Sequence, residues 1–152
     1  MQIKEMFNCT PPQKAKSSLE KWYSELLEKD ESELTLNDIC IMLRQSVFTD
    51  FAREKGMAVL SKDPYAGYCI LGEVLYAFYE NHKEFIVSNK DSFARIMEQA
   101  RNIIQKPDEY SSEGFDGMSE EEFDDMRVLV SNIELLLDNT ADMDIRDEDN
   151  TR

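Results

Sequence analysis

Apolar residues recur at three- and four-residue intervals along most of this chain, and cap and turn residues cut the pattern into helix-length pieces. Thr10 reads as an N-cap, Pro11-Pro12 suit a first helical turn, and Ala15, Leu19, Trp22 and Leu26 share a face, so a helix is expected over 11–29. Thr35 and Asp38 open a second segment, with Ile39, Cys40, Leu43 and Val47 on its inner face, expected over 36–49. Thr49-Asp50 restarts the chain for a short helix over 51–60. Asp63-Pro64 pairs a cap with proline at the first helical position. The stretch from Tyr65 to Tyr79 that follows carries one charge, Glu73, and predicts a central buried helix over 64–81. Gly67 and Gly72 within it permit close helix approach or simply lower helix propensity.

Phe85-Ile86-Val87 has no partner strand in the sequence and reads as a helical turn or loop. Phe93, Ile96, Met97, Ala100, Ile103 and Ile104 predict a helix over 91–105, closed by Lys106-Pro107. Residues 108–118 are acidic and glycine-bearing and are expected to form a loop. Ser119 and Glu122 form a capping box, and Phe123, Met126, Val130, Ile133 and Leu137 then predict a helix over 120–137. Apolar periodicity stops at Leu137. The expectation is an all-α bundle of about six helices in one domain, 1–137, followed by a flexible acidic tail, 138–152. Trp22, Leu26, Leu43, Leu71, Leu75, Phe78, Ile96, Ile103, Ile133 and Leu137 are the expected core.

Charge changes this picture at one end. Residues 108–152 hold 16 Asp/Glu against 3 Lys/Arg, whereas 1–107 hold 16 against 14, within a net charge of −15. An anionic end repels nucleic acid and anionic membrane and attracts a basic protein surface. No apolar run approaches the ~20 residues that span a bilayer, and the N-terminus lacks the pattern of a secretory signal. Cys9, Cys40 and Cys69 are odd in number and form no CxxC pair, which fits reduced thiols and a cytoplasmic location.

Catalytic signals are sparse. His82 is the lone histidine, and on a continuous helix it would lie about 20 Å from Cys69, too far for a nucleophile pair. A surface histidine and core cysteines are expected instead. One histidine and scattered cysteines make no zinc set. Asp142–Asp149 resembles a calcium loop but has Arg146 at its fifth position and Asp147 where glycine is needed. No phosphate-binding glycine motif or nucleophile elbow occurs. The chain reads as a non-enzyme without cofactor or metal. Its lysines and arginines are interleaved with acids, so direct nucleic-acid binding is not expected either.

Recognition remains. In 108–125 the carboxylates of Asp108, Glu109, Glu113, Asp116, Glu120, Glu121, Asp124 and Asp125 surround Tyr110 and Phe115. Carboxylates steer and pair with a basic surface, and aromatic side chains supply contact area, so these ten residues are the candidate partner-binding set. With its stretch Asp108-Glu109-Tyr110-Ser111-Ser112-Glu113-Gly114-Phe115-Asp116-Gly117-Met118-Ser119-Glu120-Glu121-Glu122, this small acidic chain resembles the immunity proteins of bacterial toxin systems, including those of contact-dependent growth inhibition. That resemblance implies binding to a toxin domain, often a basic nuclease, and blockage of its active site. Two other classes stay open: a helical adaptor, regulator or nucleic-acid mimic with a non-enzymatic basic partner, and an enzyme centred on His82 or a cysteine. A toxin-bearing reading frame upstream would favour the inhibitor.

Overall fold

The computed structural model describes residues 1–112 and 115–150, with side chains described as far as Asn139. Among these residues the chain is mainly helical: α1 (Ile3–Met6), α2 (Ser18–Glu28), α3 (Leu36–Gln45), α4 (Thr49–Lys62), α5 (Glu73–Asn81), α6 (Lys83–Ser88), α7 (Lys90–Ile104) and α8 (Glu120–Asn150). Between α7 and α8 lie a 3-10 turn at Pro107–Glu109 and a small antiparallel hairpin, β1 (Ser111–Ser112) and β2 (Phe115–Asp116). The α3 helix packs on α4 and α5, α7 lies along α8, and α6 touches both α5 and α8.

Side-chain caps explain where α2, α3 and α8 begin. Thr35 accepts from the Asp38 N–H at 3.1 Å and Asp38 returns a bond to the Thr35 N–H at 3.0 Å. Ser119 and Glu122 form the same reciprocal pair at α8. The helix expected from residue 11 instead starts at Ser18. There Ser17 accepts from the Glu20 N–H at 3.1 Å and the Glu20 carboxylate takes the Lys16 N–H at 2.6 Å, a better-satisfied start than Thr10 before two prolines. The segment expected over 36–49 ends at Gln45 because Ser46 and Phe48 turn left-handed, which seats Phe48 on Phe7 with ring centroids 4.0 Å apart.

The largest departure is the stretch 64–81, of which only Glu73–Asn81 is helical. Gly72 has φ +76°, and a Cβ there would lie 2.5 Å from the Met126 sulfur of α8. At Gly67 a Cβ would sit 1.7 Å from the Ile70 carbonyl oxygen. Both glycines serve a folded loop and one also a close approach to α8, rather than a continuous helix. The Phe85 region is helical, as α6. The 108–118 loop contains the hairpin. The α8 backbone stays helical past the boundary expected at Leu137; side chains from Thr140 on lie outside the described residues, so the Asp142–Asp149 side chains do too.

Leu26, Leu43, Leu71, Leu75, Phe78, Ile96 and Ile133 are buried as expected, while Trp22, Ile103 and Leu137 are half-buried at the core's edge. Phe78 centres an aromatic cluster, 5.6 Å from Phe93 and 5.7 Å from Phe85. His82 corrects the surface expectation: it is 3% exposed, with Nε2 2.7 Å from the Leu43 carbonyl and Nδ1 accepting from Arg53 Nε at 3.2 Å. The Leu43 oxygen can only accept, so Nε2 carries the proton and Nδ1 is free to accept. The cysteines divide as well. Cys40 is buried, and burial pushes its thiol up to about 12; Cys9 is half-buried and Cys69 exposed.

Candidate partner-docking site

The loop between α4 and α5 is organised by one buried carboxylate. Glu73 is 4% exposed. Its Oε1 accepts the N–H groups of Tyr68 at 2.9 Å and Cys69 at 2.8 Å, and its Oε2 accepts from Arg44 at 2.6 Å. Burial alone would raise its pKa, but these donors outweigh it and hold the carboxyl below its ordinary range. The consequence is a loop fixed with Tyr68 (61% exposed) and Ile70 (55% exposed) turned outward.

Beside that loop runs a groove of about 480 Å³ between α5 and the first turns of α8. Its apolar lining comes from Ile70, Leu71, Tyr76, Ala77, Phe115 and Met126. Its acidic lining comes from Glu80, Glu121, Glu122 and Asp125, with Arg44 and Glu73 also present. Glu122 is committed to the α8 cap and Glu73 to Arg44 and the loop. Glu80, Glu121 and Asp125 have no cation partner among the described residues. The Tyr76 hydroxyl pKa is raised, by burial first and then by the negative charges of Asp125 and Glu80. Those two carboxylates therefore act on the same part of the groove.

Nine of the ten candidate binding residues are described, and they fall into three groups. Asp108, Glu109, Asp116, Glu120, Glu121, Asp124 and Asp125 are exposed around the hairpin and the start of α8. Phe115 is half-buried and lines the groove. Tyr110 is turned inward, 7% exposed, with its hydroxyl 2.8 Å from Asp63 Oδ2 and 3.0 Å from Ser112 Oγ, and its ring edge-on to Tyr65 at 5.8 Å. Burial, then the nearby Asp63, raises its pKa. Tyr110 thus ties the start of the hairpin to the end of α4, and Phe115 is the one of the two that lines the groove. Glu113 lies outside the described residues. Sequence reasoning missed Tyr68, Ile70, Tyr76 and Glu80. The visible signal was Glu73, a lone charge in the most apolar stretch, which marks a place where a carboxylate needs partners.

A protein-family model described as CDI immunity proteins matches residues 5–96, more than half of the chain. The chain belongs to that family, the immunity proteins of contact-dependent growth inhibition. No curated protein and no solved structure matches it. The matched region includes α2 to α6 and one side of the groove; the hairpin and α8 lie beyond it. Among the described residues no helix is long and apolar enough to cross a membrane, and no three His, Cys, Asp or Glu residues are placed to hold a metal ion.

Proposed function

We propose that this immunity protein neutralises a toxin domain with a basic surface, a nuclease by class, and does so in the cytoplasm through the acidic face formed by the hairpin and the start of α8. The observation that carries this reading is the exposure of Asp108, Glu109, Asp116, Glu120, Glu121, Asp124 and Asp125 on one contiguous stretch. Their one ion pair among the described residues is an exposed i,i+3 contact, Arg127 to Asp124 at 3.7 Å, which contributes little. The remaining charge is available for an incoming cationic surface, where it speeds encounter and fixes orientation. Phe115 supplies apolar area beside it.

The test is protection. A candidate toxin domain, sought in the reading frame upstream, is expressed under induction with and without this chain, and growth is followed; the purified pair is then assayed for complex formation and nuclease inhibition. Protection with a stoichiometric complex supports the proposal. Neutralising Glu120, Glu121, Asp124 and Asp125 together should slow association and flatten its salt dependence. A complex that forms with unaltered kinetics in that variant places the interface elsewhere.

A further inference from the structure

We infer that the groove between α5 and α8 receives a lysine or arginine side chain that projects from an apolar patch of the toxin domain. This rests on the reading of the chain as a toxin inhibitor and makes it specific to one place. Charge complementarity carries the argument. The groove has an apolar floor that matches the methylene stem of a long basic side chain, and three carboxylates without a cation partner among the described residues, Glu80, Glu121 and Asp125, that match its head. Its volume of about 480 Å³ lies in the range of formed ligand pockets and exceeds what one side chain fills, so neighbouring apolar groups enter with it. The resident cation, Arg44, is already bound to Glu73 and does not compete for those acids. Ile70 and Tyr68 stand exposed at the loop, held there by Glu73 rather than by burial, which is the arrangement of a contact surface prepared before the partner arrives.

The experiment compares three altered forms of the full chain against the same purified toxin domain, with melting curves confirming that each is folded. The first carries Glu80→Gln, Glu121→Gln and Asp125→Asn. The second carries Ile70→Arg, which places a cation over the floor. The third, outside the groove, carries Asp108→Asn, Asp116→Asn and Asp124→Asn. All altered side chains are exposed, so the fold should tolerate them. The first two should weaken binding by about 100-fold, mainly through faster dissociation, while the third should change association by only a few-fold. If the first and third weaken binding equally and only through association, the groove is not the docking site and the acidic face acts as a diffuse field. If Ile70→Arg weakens binding while the first form does not, an uncharged plug fills the groove and the cationic assignment fails. If both groove forms bind like the native chain, the inference fails while the inhibitor reading survives. Failure of the unaltered chain to bind the toxin overturns that broader reading instead.

Discussion

Replacing Glu73 by alanine should be among the most damaging single changes at a polar position in this protein. The substitution removes the acceptor for two loop N–H groups, at 2.9 and 2.8 Å, and for the Arg44 guanidinium at 2.6 Å. Each hydrogen bond to a charged group contributes about 1.5–3 kcal/mol. Full loss of all three is an upper bound. The Arg44 side chain is 43% exposed and regains water, and the Tyr68–Cys69 segment is open to solvent. Discounting for that screening leaves an expected loss of about 2–4 kcal/mol. Glu73→Gln keeps an oxygen for the two amides but removes the charge facing Arg44, so about 1–2 kcal/mol is expected. Urea unfolding followed by circular dichroism measures both, with the midpoint shifting and the slope unchanged.

The pH dependence gives an independent check. The folded-state pKa of Glu73 lies below its ordinary value of 4.5. Its stabilisation is therefore present above that value and is lost as pH falls through the lower folded pKa. The deficit of Glu73→Ala should accordingly shrink on acidification through and below pH 4.5. An alanine variant within about 0.5 kcal/mol of native at neutral pH, the size of an ordinary surface substitution, would refute the reasoning. So would a deficit that stays constant in acid.

Leu75 is fully buried, and Leu75→Ala should destabilise by about 2–5 kcal/mol; an unchanged melting curve would show that its side chain is not packed. Tyr110→Phe removes the bonds to Asp63 and Ser112 and should lower stability by about 1–2 kcal/mol, with near-native stability showing that the hairpin is held by ring packing alone. Asp38, 3% exposed and bonded to Lys29 at 2.6 Å and Trp22 at 3.0 Å, also has a depressed pKa. Asp38→Asn should therefore flatten the acid limb of the native pH–stability curve, and an unaltered limb would exclude it as a source. We further propose that 138–152 is dispensable for folding, so that its removal leaves thermal unfolding within a few degrees of native; a collapse of the melting transition would make it part of the fold.

Helix positions were legible where a reciprocal capping box led into an apolar face, as at Thr35 and Ser119, and misread where a cap residue stood before proline, as at Thr10 and Asp63. They were not legible across 64–72, because burial there serves a loop. Tyr65 is buried through a 2.6 Å hydrogen bond to the Ala100 carbonyl on α7, a contact between residues 35 apart that no local pattern encodes. The same limit applies to the site. The acids of 108–125 were readable as charge, but Tyr110 and Phe115 looked equivalent, and only contacts with distant residues separate them: Tyr110 bonds to Asp63, 47 residues away, whereas Phe115 lines the groove with residues of α5. His82 looked exposed because it follows an exposed Asn81 and precedes a lysine. Its burial comes from the Leu43 carbonyl and Arg53, 39 and 29 residues away.

The groove's two sides come from different stretches of the chain. Glu80 and the loop around Ile70 fall within residues 5–96, whereas Glu121, Asp125 and Phe115 come from beyond them. The later carboxylates are exposed. Such a division lets the charge pattern vary in one segment while the scaffold that presents it stays folded, because substitution at a few surface positions does not require a rebuilt core.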